Sequence, residues 1–136
     1  MTERLFGMET EYGLAVRGRD KSRLGRGCSW TDRFIDVAAQ CLPHLPSTDG
    51  GGLFLPNGAR FYMDCGHPEM TTPECANPWD VVRYMHAGER ILTTVAEELK
   101  ARDSGIADVL VFKTNVDHGG GGTRTVDIRG LGLQWS

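Results

Sequence analysis

Residues 60 to 74 of this 136-residue chain hold one arginine, one tyrosine and three carboxylates: Arg60, Tyr62, Asp64, Glu69 and Glu74. They sit in the stretch LFLPNGARFYMDCGHPEMTTPEC, Leu53 to Cys75. Alternate side chains of a strand share a face. Arg60, Tyr62 and Asp64 therefore point one way, and Phe61 and Met63 the other. A polar face backed by an apolar one fits a strand that lines a site with its reverse in the core. The wet side of an ordinary antiparallel sheet has the same pattern. Arg60 has the planar fork of donors that suits a phosphate or a carboxylate.

A second group of candidates lies near the start, in RLFGMETEYGLAV. Alternation places Glu9 and Glu11 on one face, with Met8 and Thr10 opposite. Two carboxylates so close repel each other in a dry site, and a divalent cation between them relieves the repulsion. Oxygen ligands of this kind suit Mg²⁺. The competing reading is an exposed edge strand with two solvated glutamates. Cys65, His67 and Cys75 offer a third set of ligands, but their spacing matches no common zinc module.

These residues need elements to hold them. Arg4 to Val16 reads as the first strand. Arg17 to Ser29, rich in glycine and basic residues, reads as a loop. Ser29 or Thr31 can cap a helix reaching about Cys41, with Phe34, Val37, Ala38 and Cys41 at helical spacing and Pro43 and Pro46 ending it. Ser47 to Gly52 is a connector. Asn57-Gly58 is a hairpin turn signal, and after Asp64 the chain leaves through Gly66, its path stiffened by Pro68 and Pro73. Asn77 caps a second helix with Pro78 at its first position and Asp80 in its first turn. Its apolar stripe is Val81, Met85, Leu92, Val95 and Leu99, and His86 and Glu89 read as surface residues. Asp108 to Thr114 is a further extended segment, leading into Asn115 to His118 and the glycines Gly119 to Gly122. That glycine run lacks the lysine and helix start of a P-loop. No helix or strand pattern stands out from Thr123 to Ser136.

A chain of this length supports one modest core. The net charge of -3 supplies no positive field for nonspecific nucleic-acid binding. No apolar stretch has the length of a bilayer span and no signal-peptide core is present, so no membrane partner is expected and the location is read as cytoplasmic. The four cysteines, Cys28, Cys41, Cys65 and Cys75, contain no CxxC pair and read as reduced thiols.

FGMETEYG, NGARFYMDCGHPEMTTPEC, AGERIL and FKTNVD, taken in order, resemble the Pup ligase and depupylase family, proteasome accessory factors related to glutamine synthetase among the carboxylate-amine ligases. The likeness covers most of residues 4 to 120. It implies an α+β fold: a curved antiparallel sheet forming part of a cradle for ATP and Mg²⁺, with helices packed on one face. In the ligase, a glutamate side chain at the end of Pup is phosphorylated by ATP and then attacked by a lysine of a protein target, giving an isopeptide bond. The depupylase performs the related cleavage and deamidates a terminal glutamine of Pup. The resemblance assigns Glu9, Glu11, Tyr62 and Glu69 to the metal shell, with Glu74 a further candidate. It assigns Asp64 as the catalytic aspartate, able to take a proton from lysine or to act on water. Arg60 becomes the cofactor-binding residue.

The short link between the first strand and the hairpin sides with the ligase. NGAR, the compressed Asp64 to His67 link, PEC, AGER and NVD resemble the depupylase. The expectation is the ligase, with Pup or a Pup-like modifier, lysine-bearing substrates and the proteasome pathway as partners. The likeness fails after about residue 120, where the family continues with further cradle strands and this chain reads GGGGTRTVDIRGLGLQWS. Residues 1 to 120 are therefore read as the N-terminal part of a catalytic domain, and 121 to 136 as a glycine-rich irregular tail, for which a shifted reading frame or a truncated gene is the expected cause. Such a short chain is expected to be inactive alone. A non-catalytic module that docks Pup or a proteasome partner is the alternative of another class.

Overall fold

The computed structural model describes residues 4–20, 24–25, 28–47, 51–113 and 133–135. In chain order the elements are β1 (Met8–Glu11), β2 (Gly13–Gly18), β3 (Leu24–Gly25), α1 (Cys28–Cys41), β4 (Leu45–Pro46), β5 (Leu53–Phe54), β6 (Arg60–Asp64), β7 (His67–Thr71), α2 (Pro78–Arg102), β8 (Ile106–Phe112) and β9 (Leu133–Trp135). They form two antiparallel sheets, one of six strands in the order β4-β5-β6-β7-β1-β9 and one of three in the order β3-β2-β8. The sheets are open, and both helices pack on their apolar side, as an α+β fold of this kind requires.

The core forms because each element has one apolar face. Helix α1 contributes Phe34, Val37 and Ala38, and α2 contributes Leu92, Val95, Ala96 and Leu99; all are buried. Phe61 of β6 and Met70 of β7 meet them from the large sheet, and Val16 and Ile106 from the small one. Phe34 meets Phe61 edge-on, with ring centroids 5.9 Å apart and planes at 89°, a geometry aromatic quadrupoles favour. Asn77 caps α2 as expected, its side-chain oxygen accepting from the Asp80 amide at 3.0 Å. Pro78 follows at the first helical position, where the amide it lacks is not needed.

Local readings change at several places. The expected first strand is two, because the chain passes from the large sheet to the small one at Tyr12. The Tyr12 amide still donates to the Pro68 carbonyl at 2.9 Å, after which β2 pairs with β8. At the switch the Phe112 ring lies over Gly13, where a Cβ would come within 2.6 Å of it. Secondly, the path after Gly66 is a full strand, β7, despite Pro68. Asp64 and His67 flank a two-residue turn, Cys65 (φ 46°) and Gly66 (φ 90°), so both turn residues take the left-handed backbone of a tight hairpin. Hydrogen-bonded and non-bonded pairs alternate from that closing pair. Pro68, opposite Met63, falls at a non-bonded position toward β6. On the other side it lies opposite Tyr12, whose amide donates to its carbonyl, and the amide it lacks is missing only at this last pair, where the chain leaves the large sheet.

The third change is at α1, which starts at Cys28, so that Ser29 and Thr31 lie inside it. The Thr31 hydroxyl donates instead to the Gly66 carbonyl at 2.7 Å. Arg17 and Gly18, read as loop, belong to β2, and Leu24–Gly25 pairs with it as β3. The extended segment before the glycines begins earlier than expected, at Ile106, and Thr114 to Gly122 lie outside the described residues. Within the tail, Leu133–Trp135 pairs with β1; three residues are too few for an alternation to be read from sequence.

Candidate active site

Register gathers the candidate residues. Arg60 pairs with Thr71, which pairs with Glu9; Tyr62 pairs with Glu69, which pairs with Glu11; Asp64 pairs with His67. Directly opposed residues of neighbouring strands share a face. Two polar rows, Arg60–Thr71–Glu9 and Tyr62–Glu69–Glu11, therefore run across β6, β7 and β1, with Asp64 beside the second. This is the face opposite the helices, because Phe61, Met70 and Thr10 are buried on the other side.

Within this face Glu11, Asp64 and Glu69 each bring a carboxylate oxygen to within 4.8 Å of the others, the one such metal-ligating group among the described residues. Three oxygen donors so placed suit a hard divalent cation such as Mg²⁺. Cys65, His67 and Cys75 do not form such a group; Cys75 is buried, its thiol 3.2 Å from the Pro73 carbonyl. Glu9 lies one row away from the triad, yet its charge is felt at both Glu69 and Tyr62.

Electrostatics sharpen the case for a cation. Burial raises the Glu69 carboxyl above its ordinary range, and the charges of Glu9, Asp64 and Glu11 raise it further, against the lowering effect of the Tyr62 hydrogen bond. Glu69 is 5% exposed, so a carboxylate here carries a cost that a cation or a proton must relieve. The Tyr62 hydroxyl donates to Glu69 Oε1. Burial, that bond and the surrounding carboxylates push the phenol far above its usual range, which keeps it a neutral donor. Arg60 stacks over the Tyr62 ring, its guanidinium carbon 4.5 Å from the centroid, and lies 5.6 Å from that of Phe54.

A cavity of about 320 Å³ opens at the β1 and β7 end of the same face, between the chain before β1 and the residues after β7. Glu9, Thr71, Thr72 and Glu74 supply its polar lining. The Thr72 hydroxyl accepts from the amide of Met8, another lining residue, at 3.0 Å. The Thr71 hydroxyl accepts from the Arg60 amide at 3.0 Å. Neither threonine stands out in sequence; the one signal was the TT pair directly after the Glu69 strand.

His86 and Glu89, read as surface residues, form a pair at 2.9 Å on α2. Glu89 also pairs with Lys113 at the end of β8, and that bond holds its carboxyl below the ordinary range. Lys113 lies 5.9 Å from the centroid of Tyr12, whose phenol burial raises to about 12. This network ties α2 to the small sheet and stands apart from the carboxylate triad.

The sequence and the fold both have known relatives. The family model described as Pup-ligase protein matches residues 4–122. A Pup–protein ligase of Acidimicrobium ferrooxidans is 38% identical over 125 residues, 88% of this chain and 26% of the relative. Among solved structures, the ligase PafA in complex with the prokaryotic ubiquitin-like protein Pup matches with a TM-score of 0.68 and 29% identity, over 85% of this chain and 23% of that one. The chain thus spans about a quarter of the length of these relatives.

Proposed function

Because this chain belongs to the Pup-ligase family, we propose that its polar sheet face is the N-terminal part of the catalytic cradle of an ATP-dependent ligase. The reaction joins the side-chain carboxylate of a C-terminal glutamate of Pup, or a Pup-like modifier, to lysines of protein substrates. The observation that carries this reading is the convergence of Glu11, Asp64 and Glu69 within 4.8 Å. Both relatives named above are ligases, which supports joining over the related cleavage.

In this reading Glu11 and Glu69 would hold Mg²⁺ with Asp64 within its reach, and Glu9 stands at the neighbouring position toward the cavity. The cation, when bound, neutralises phosphate charge and polarises the phosphoryl oxygens. Tyr62 keeps Glu69 ionised and aimed by donating to it. Arg60, flattened against Tyr62, offers its donors to a nucleotide phosphate. Asp64, exposed at the end of β6, accepts the proton that the lysine ammonium must lose before its nitrogen can attack. Among the described residues no helix is long and apolar enough to cross a membrane, in keeping with action in the cytoplasm on the proteasome pathway.

Calorimetric titration of the 136-residue chain with Mg²⁺ and Mn²⁺ tests the site. Weak binding that Glu69→Gln removes supports the reading. Grafting residues 4–113 into the Acidimicrobium ferrooxidans relative and assaying Pup conjugation tests the activity. A folded chain that binds Pup but no cation or nucleotide would favour the non-catalytic module instead.

A further inference from the structure

We infer that Thr31 is a positioning residue for Asp64, acting through the turn of the β6–β7 hairpin. The inference rests on the reading of the carboxylate face given above and adds to it a residue from outside the sheet.

Thr31 is 2% exposed. A hydroxyl so buried needs a hydrogen-bond partner. It takes a distant one, the Gly66 carbonyl at 2.7 Å, 35 positions along the chain. In a two-residue hairpin turn the carbonyls of both turn residues point away from the ladder, so neither strand can satisfy Gly66. Thr31 does so from α1.

The consequence for the site follows from connectivity. Cys65 and Gly66 join Asp64 to His67, and both hold left-handed backbone conformations, at φ 46° and 90°. For Cys65 that conformation is strained and must be held by its surroundings. Asp64 is the last residue of β6, with the turn as its one covalent neighbour on that side. A tilt of the turn therefore moves its carboxylate relative to Glu11 and Glu69. Helix α1 is a firm anchor, because Phe34, one turn after Thr31, is fully buried against Phe61 of the same β6 strand. Two contacts from one helix thus hold β6: Phe34 grips its middle from the core and Thr31 grips its exit.

The test compares Thr31→Val, which keeps the shape and removes the donor, with Thr31→Ser, which keeps the donor. Val37→Ala, elsewhere on α1, controls for general loss of stability. In the 136-residue chain, amide exchange at Cys65, Gly66 and His67 should quicken roughly five- to tenfold in Thr31→Val, the effect of one lost hydrogen bond. It should stay at the wild-type rate in Thr31→Ser. Mn²⁺ affinity should fall in Thr31→Val beyond any fall in Val37→Ala, and recover in Thr31→Ser. Turn amides unmoved by Thr31→Val, or quickened equally by Val37→Ala, would overturn the inference. Should Thr31→Val fail to fold, the wild-type chain still decides. A slowly exchanging Thr31 hydroxyl proton close to Gly66 supports the link, and a freely exchanging one removes it. Failure of the metal reading looks different: no form binds Mn²⁺, yet the turn loosens in Thr31→Val alone, and the hold on Asp64 stands.

Discussion

Tyr62 and Glu69 face each other across β6 and β7, and the phenol donates to the carboxylate. Each explains the other. The carboxylate is tolerated at 5% exposure in part because it receives that bond, and the phenol stays protonated in part because it gives it.

Tyr62→Phe removes the donor and keeps the ring under Arg60. The Glu69 carboxyl should then titrate higher than in the wild type, because the one effect lowering it is gone. Loss of a hydrogen bond to a partly buried carboxylate should cost about 1–2 kcal/mol of stability at neutral pH. Carbon-detected NMR titration of Glu69, with chemical denaturation alongside, measures both. A Glu69 titration unchanged by the substitution would show that the bond does not form.

The raised Glu69 pKa has a definite sign in stability. The folded chain holds that proton more tightly than the unfolded one, whose carboxyl titrates near 4.5. The stabilisation is complete below that pH and is lost as pH rises through the folded value. Without divalent cations, Glu69→Gln should therefore melt higher than wild type at pH 7, and the gap should close below pH 4.5. Added Mn²⁺ should raise the wild-type Tm at pH 7 and leave Glu69→Gln unmoved. Melting curves at several pH values, with and without Mn²⁺, check this. A wild type more stable than the variant at pH 7 without cations would contradict it.

Asp64→Asn alters an exposed side chain and should leave the stability within about 0.5 kcal/mol of wild type. In the grafted full-length ligase it should lower the conjugation rate by roughly 10²- to 10⁴-fold, the usual worth of a positioned general base. Single-turnover transfer from Pup to a lysine substrate reads this directly. Wild-type turnover would remove Asp64 from the mechanism.

Asn77→Ala leaves the Asp80 amide without the oxygen that caps α2. About 1 kcal/mol of stability should be lost, with faster amide exchange confined to the first turn of the helix. Asn77→Ser should recover much of it, whereas Asn77→Asp would set a second carboxylate where the Asn77 amide donates to Asp80 at 2.7 Å. Equilibrium denaturation of these forms settles the ranking.

Local chemistry was readable from the residues themselves. The alternation of Arg60, Phe61, Tyr62, Met63 and Asp64 placed Phe61 in the core as expected, because a strand's period of two is a property of its own backbone. Met63, expected on the same apolar side, is exposed because the strand end runs past the helices. The Asn77-Pro78 start of α2 was equally legible, since capping involves groups three residues apart. Four named motifs in order were enough to point to the Pup-ligase family.

What the sequence left open depended on partners far along the chain. Glu9 and Glu11 looked equivalent in sequence. Pairing of Glu11 with Glu69, nearly sixty residues later, brought Glu11 into the triad and left Glu9 one row outside. The strand character of His67–Thr71 was hidden by Pro68, which is tolerated because its missing amide falls at the last pair with β1, where Tyr12 leaves the large sheet. The division of the first strand at Tyr12 depended on a second sheet that β8 completes. The hydroxyl of Thr31, readable in sequence as a helix cap, went to a turn carbonyl that chain folding alone brings within reach. Register and long-range hydrogen bonds are fixed by the packing of whole elements, and that packing decided which of the candidate residues meet.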